Sequence, residues 1–496
     1  MNTKEKKYKM NKHLSICVML ILANTIYAQS IKFEAYEFKT RDGRIESAEL
    51  GTMLVPENRN HPESKNINIK CVRFKSTSDN PGSPIVYLAG GPGGSGIAAG
   101  RGSRFDMFMA LRQIGDVILL DQRGTGISDG IPNYPGYWLI DPAQPLNRAD
   151  ATKIIQEETL KAVQFWQNQG VDIAAYNTNS SADDINDLRI ALGKEKLNII
   201  GISYGTHLAL TYLKRHEAHA DRIILAGVEG YDHTVKLPMD QQDLLETIDQ
   251  LLKEDATTKD IYPDFLGDIE KLLSQLETNP VEVETVNPLD GKPMTVMTGK
   301  MEMQILIAMM LRGPSNFRSL PLELKQMLVG DFSAIKDWIL YTHAGQLRGM
   351  SLAMDVASGI SKDRLMTIKK QREKTLLGDA INWPYLEQWK VLQDFHLSSE
   401  FRASFASDLP VLCISGTLDG RTPPGNAVEV LSNMKNGHHL VIEGAGHSDP
   451  LFLSSPRILE VMEDFLNGKS VGNETISLPP VQWELPGSST EESVKN

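Results

Sequence analysis

Ser203 stands in Gly201-Ile202-Ser203-Tyr204-Gly205, at the end of the apolar run Leu197–Ile202 and just before a helical pattern over Thr206–Arg215. A serine hydroxyl is a weak nucleophile near neutral pH unless a base takes its proton and a carboxylate orients that base. The G-x-S-x-G spacing meets the first geometric need. A sharp strand-to-helix turn presents the serine in strained backbone geometry, and the flanking glycines leave room for neighbouring chain. The pattern alone is common; a strand before it and a helix after it make Ser203 a candidate nucleophile for acyl transfer.

The carboxylate and the base should follow in the order Ser, Asp or Glu, His, each just past a strand. Val411–Ser415 leads into Gly416-Thr417-Leu418-Asp419, and His439–Ile442 leads into Glu443-Gly444-Ala445-Gly446-His447, which makes Asp419 and His447 the candidate partners. His343, His438 and His439 compete with His447, but the last two open a strand and His343 falls in a separate helical region. Asp408 and Asp449 compete with Asp419 and suit solvated or capping roles. The developing oxyanion needs backbone donors. One is the N–H of Tyr204; the other is expected from the loop Gly90-Gly91-Pro92-Gly93-Gly94-Ser95-Gly96 after Pro84–Leu88, with Gly91 the chosen donor. A phosphate-binding loop is the rival reading, and the absent Gly-Lys-Ser/Thr ending counts against it. The histidines lack paired ligand spacing of the metalloprotease kind, so the expectation is no metal and no cofactor.

These residues need a scaffold. Ala48–Val55, Ile67–Phe74, Pro84–Leu88, Val117–Leu120, Leu197–Ile202, Arg222–Leu225, Val411–Ser415 and His439–Ile442 read as eight strands. The later ones alternate with helical patterns such as Ala182–Leu192, which implies βαβ units, a mostly parallel sheet and a site beyond the strands' carboxyl ends. From about Asp232 to Phe405 the pattern turns helical, in Leu244–Lys253, Ile269–Leu276, Met301–Leu311 and Leu322–Leu328. That segment reads as an inserted cap. The expected organisation is a core over 29–231 and 406–470, a cap over 232–405, and a Pro-, Ser- and Glu-rich tail over 471–496, held loosely. Met301, Met303, Met309 and Met310 could line a pliable pocket, but core packing is the simpler reading.

Lys4, Lys6, Lys7, Lys9 and Lys12 precede a short apolar run, Leu14–Leu22, and Ala28 offers a small residue for cleavage. Residues 1–28 therefore read as an export signal, with a periplasmic or secreted product. A lipoprotein anchor at Cys17 competes with this, although Ile16 is bulky where a small residue is wanted. No later run reaches the ~20 apolar residues needed to span a bilayer. Lys and Arg total 51 against 63 Asp and Glu, a formal net charge of −12, and loss of the lysine-rich leader makes the remainder more acidic. Nucleic acid is thus not an expected partner. Cys71 and Cys413 both lie in apolar runs; two buried thiols is the simpler reading, with a disulfide open in an oxidising compartment.

With the motifs placed, the sequence resembles the proline iminopeptidase and tripeptidyl aminopeptidase family of α/β-hydrolase serine peptidases. The matching residues are Gly90–Gly96, Asp121-Gln122-Arg123-Gly124-Thr125-Gly126, Ser181-Ala182-Asp183-Asp184 through Leu188-Arg189, Gly201–Thr206, Ser415–Asp419 with Thr422-Pro423, and Gly444–His447. The likeness runs from about Glu46 to Leu466 and is weakest in the cap. It implies an α/β-hydrolase fold with a helical cap, removal of N-terminal residues from peptides, and acidic cap groups that hold the substrate's free ammonium. Asp121–Gly126 resembles the family's structural turn and is given no direct chemistry. Asp355 in Leu352-Ala353-Met354-Asp355 resembles the position of such an acidic group, although Ala353 stands where a cysteine is common. Ala89 departs from the His that often precedes Gly-Gly-Pro, which leans the likeness toward the larger-capped tripeptidyl type. The expected partner is a peptide with a free N-terminus. An esterase or amidase acting on small molecules is the alternative, since one triad serves esters and amides alike; a non-catalytic binding protein on the same fold is a third reading.

Overall fold

The computed structural model describes residues 30–287 and 291–487, so the expected export segment lies outside the described residues. Ten strands form the central sheet: β1 (Ile31–Lys39), β2 (Ile45–Pro56), β3 (Asn66–Phe74), β4 (Ile85–Leu88), β5 (Val117–Asp121), β6 (Leu197–Ser203), β7 (Ala220–Val228), β8 (Ser407–Gly416), β9 (Met434–Glu443) and β10 (Glu474–Ser477). Their order in space is β1-β2-β3-β5-β4-β6-β7-β8-β9-β10. The first three are antiparallel, and every pairing from β5 and β4 onward is parallel. The central strands β4 and β5 are buried along their whole length, as expected of a parallel sheet covered on both faces. One apolar cluster, with Ile199, Leu208 and Tyr212, fills one face; another, with Tyr87, Phe108 and Phe465, fills the other.

The sheet has ten strands where eight were expected, and the two extra ones are its edges. β1 alternates apolar and polar side chains on either side of a phase change at Ala35-Tyr36, and pairs with β2 in continuous register from Ile31–Met53 to Lys39–Ile45. β10 lies in the segment expected to be loose: Leu440–Glu443 of β9 pairs in parallel with Glu474–Ser477. Beyond it, Val481, Trp483 and Leu485 pack on the cap's core, and Tyr262 Oη donates to Glu484 O at 2.7 Å. The tail through residue 485 is therefore a strap fixed to core and cap. Apolar side chains spaced among its prolines give it something to bury, which composition alone concealed.

Between β7 and β8 the chain leaves the sheet. Helices Pro238–Glu254, Phe265–Thr278, Lys300–Met310 and Leu320–Leu328 pack around their own core, which includes Ile248, Ile269, Leu273 and Phe317. The segment also contains an antiparallel hairpin, Val281–Val286 with Pro293–Thr298, and a short strand, Ala344–Gln346, that pairs with Tyr137–Leu139. Met303 is buried in that core and Met301 and Met310 are half-buried, whereas Met309 is exposed. Cys71 and Cys413 are buried free thiols on β3 and β8.

Candidate active site

Ser203 ends β6 and caps the helix Tyr204–His216, with φ 54° and ψ −127°. Positive φ on a residue with a Cβ is disfavoured, and the surroundings hold it there. A Cβ on Gly201 would strike Gly205 O, and one on Gly205 would strike Leu88 O, so each glycine is required by backbone passing close by. Thr206 Oγ1 donates to Ser203 O at 2.6 Å and accepts from Glu229 N at 2.7 Å, which ties the turn to the end of β7.

Asp419 and His447 come from the loops after β8 and β9. Asp419 Oδ2 accepts from His447 Nδ1 at 2.8 Å, and both side chains are almost fully enclosed. The other oxygen, Oδ1, accepts from Arg421 N at 2.8 Å and Thr422 N at 2.9 Å, while Thr422 Oγ1 donates to Oδ2 at 2.7 Å. Burial opposes ionisation of Asp419, but the His447 charge and hydrogen bond together with donation from Thr422 outweigh it and hold the carboxyl below its ordinary range. The imidazole packs over Gly227, where a Cβ would stand 3.2 Å from His447 Cε1. The next residue, Val228, is the register partner of Ser203. The three side chains thus gather at one rim of the sheet. The carboxylate–imidazole link is closed, and no hydrogen bond joins Ser203 to His447 among the described residues.

The glycine loop lies against the nucleophile: a Cβ on Gly90 would stand 2.9 Å from Ser203 Cβ and 2.7 Å from Ile202 O. Gly91, at φ 125°, turns its backbone into the adjoining cavity. Asp121 fixes this loop from β5, with Oδ1 accepting from Ser95 Oγ at 2.6 Å and Ile97 N at 3.1 Å, while Gln122 Nε2 donates to Ala89 O at 3.1 Å. Arg123, fully buried, pairs with Asp184 and donates to Glu57 O and Ala175 O. The Asp121–Gly126 turn is thereby a brace for the glycine loop.

A cavity of about 350 Å³ opens beside Gly91, lined among others by Glu229, Lys236, Asp355, Tyr385 and Arg421. Asp355 sits on the helix Gly349–Ser358. That helix touches the glycine loop through Ser351 Oγ, which donates to Pro92 O at 2.8 Å. Burial and the charge of Glu229 raise the Asp355 carboxyl well above its ordinary range, and Lys236 and Arg421 offset this only in part. Glu229 is the opposite case: burial is overcome by Lys236, whose Nζ lies 2.6 Å from Glu229 Oε2. Glu229, Lys236 and Arg421 were not singled out in the sequence. Glu229 was legible only as the residue one step past a strand end next to the nucleophile's strand. The rival residues lie elsewhere: Asp449 binds Arg104 Nε at 2.8 Å, Asp408 pairs with Lys435 at the surface, His439 Nε2 meets Ser415 Oγ at 3.0 Å, and His343 is buried against Thr342.

Sheet order, elbow and post-strand Asp and His together define an α/β-hydrolase fold carrying a Ser-His-Asp constellation. Two family models agree, one for the α/β-hydrolase fold over residues 83–265 and one described as TAP-like protein over residues 379–474. The expected resemblance is present among curated relatives. The chain is 30% identical over 189 residues to a tripeptidyl aminopeptidase of Streptomyces coelicolor, 36% of this chain and 35% of that protein. It is 27% identical over 188 residues to the serine protease Hip1 of Mycobacterium tuberculosis, again 36% and 35%, and 31% identical over 156 residues to a probable proline iminopeptidase of S. coelicolor, 31% and 36%. The matched region spans about a third of each of these relatives.

Proposed function

We propose that this chain is a serine aminopeptidase, of prolyl or tripeptidyl type, that releases N-terminal residues from peptides through an acyl-enzyme. The observation that carries the reading is the closed Asp419–His447 pair beside the Ser203 elbow, next to a cavity whose wall joins Gly91 and Arg421 to a carboxylate, Asp355, with no side-chain hydrogen-bond partner among the described residues. The names of the curated relatives support it.

In this mechanism His447 Nε2 takes the proton of Ser203 Oγ as Oγ attacks the substrate carbonyl, once substrate binding brings the two within hydrogen-bond reach. Asp419 supports the imidazolium. The N–H groups of Tyr204 and Gly91 receive the oxyanion, the protonated amine leaves, and water activated by the same imidazole resolves the ester. The substrate's α-ammonium pairs with Asp355, beside Glu229, and the cap excludes chain extending further. Export follows from the leader-like residues 1–28; no helix among the described residues is long and apolar enough to cross a membrane.

Paired chromogenic amides, with the α-amine free or N-acetylated, test the reading. Turnover of the free-amine series alone, at one register of aminoacyl, dipeptidyl or tripeptidyl length, supports an aminopeptidase. Equal turnover of both forms, or turnover of esters only, assigns the site to the esterase or amidase class instead.

A further inference from the structure

Arg421 is the second residue after Asp419, and its backbone N–H helps to hold that carboxylate. Its side chain turns the other way, into the cavity of about 350 Å³. A second cavity of about 330 Å³, with Ile305, Met309 and Tyr341 in its wall, shares Arg421 with the first, so the guanidinium stands where a charged compartment meets an apolar one. It lies in the fields of Asp419, Glu229 and Asp355 on one side and Arg312 on the other. Among the described residues the guanidinium has neither a hydrogen bond nor an ion pair, whereas its neighbour Lys236 is paired with Glu229 at 2.6 Å. A counter-ion for the acidic groups would resemble Lys236. A half-buried guanidinium open only to a cavity has five donors awaiting an acceptor, and the planar fork matches a carboxylate.

We infer that Arg421 is a specificity-determining residue that binds a carboxylate of the substrate. The site then takes a zwitterion, with ammonium toward Asp355 and carboxylate on Arg421. This deepens the aminopeptidase reading and rests on it. The carboxylate can be the C-terminus of a short peptide or an acidic side chain, and the two sources are separable.

The test is calorimetric binding to the Ser203→Ala protein, which needs no turnover. The probes are Ala-Ala-Ala, Ala-Ala-Ala-amide, Glu-Ala-Ala-amide and Gln-Ala-Ala-amide. The carboxylate-bearing member of at least one pair should bind about tenfold or more tighter than its neutral partner. A difference in the first pair identifies the terminus, and in the second the side chain. Adding Arg421→Met, or Arg421→Gln should the first fail to fold, should abolish that difference and leave the neutral peptides' affinity within about twofold. Equal binding within both pairs, no binding by any probe, or a preference that survives loss of Arg421 overturns the inference. The aminopeptidase reading fails separately, when turnover by the wild-type chain ignores the free amine.

Discussion

Thr422 Oγ1 donates to Asp419 Oδ2 at 2.7 Å while standing 3.1 Å from His447 Nδ1, so one hydroxyl buttresses both the carboxylate and the imidazole it orients. A hydrogen bond to a buried charge is worth about 1.5–3 kcal/mol. Thr422→Val, which keeps the shape, is expected to lower kcat by roughly ten- to a hundredfold, and Thr422→Ser should restore most of it. Steady-state kinetics with a cleaved amide checks this; an unchanged kcat in Thr422→Val removes the hydroxyl from the mechanism.

The Asp419 carboxyl is held below its ordinary range in the fold. Its contribution to stability is therefore complete above the unfolded value of ~3.9 and is lost as pH falls through the depressed folded value. Thr422→Val, by weakening that hold, should be less stable than wild type at neutral pH and should lose less stability on acidification below ~3.9, as read by denaturant unfolding at a series of pH values followed by circular dichroism.

Ser203→Ala and His447→Ala should each reduce kcat by about 10⁴-fold or more with the fold retained. Near-wild-type turnover in either variant would end the acyl-enzyme mechanism. Ser203→Gly separates chemistry from strain: it is equally inactive, but relief of the positive φ should raise the unfolding midpoint above that of Ser203→Ala by the equivalent of about 1 kcal/mol. Differential scanning calorimetry of the two variants reads that difference.

Asp355 is raised well above the ordinary carboxylate range. Such a group favours folding when protonated and loses that advantage as pH rises through its folded value. Asp355→Asn should accordingly stabilise the ligand-free protein at neutral pH, while raising KM for free-amine peptides about tenfold or more. In wild type, kcat/KM should fall on the acid side at a pH above the usual ~3.9 as Asp355 protonates, and on the alkaline side near ~8 as the substrate amine loses its proton. The general base gives an acid limb of its own that Asp355→Asn should keep, while the component contributed by Asp355 should disappear; an unaltered profile would separate Asp355 from amine binding.

Arg123 and Asp184 form a buried pair that Arg59 joins from a more exposed position. Asp184 keeps Arg59 if Arg123 is lost, but removing Asp184 leaves the fully buried Arg123 without a carboxylate, so Asp184→Leu should lose about 3–5 kcal/mol in denaturant unfolding. A change within 1 kcal/mol would show that the turn does not depend on this pair.

The strap makes a different kind of prediction. Trp483 is half-buried and stacks near Phe317, with ring centroids 6.0 Å apart. Trp483→Ala should lower stability by about 2 kcal/mol, with kcat changed less than twofold. The same two measurements decide whether the C-terminal segment serves the cap's stability alone.

What the sequence determined is what local chemistry forces. The Gly201–Gly205 spacing admits one sharp turn, the apolar runs before Asp419 and His447 place both past strand ends, and the change of period after about Asp232 announces an insertion. The edge strands were harder to read: β1 changes phase at Ala35-Tyr36 and follows directly on the segment expected to be an export signal, and β10 is four residues long within a proline-rich tail. Only the tertiary structure decided the electrostatics of the cavity. Glu229, Lys236, Asp355 and Arg421 are scattered from β7 to the loop after β8, and nothing in their spacing says which carboxylate is paired and which is left for a ligand. That depends on burial and on distances of a few ångströms between segments nearly two hundred residues apart, and both are set only when the cap closes over the sheet.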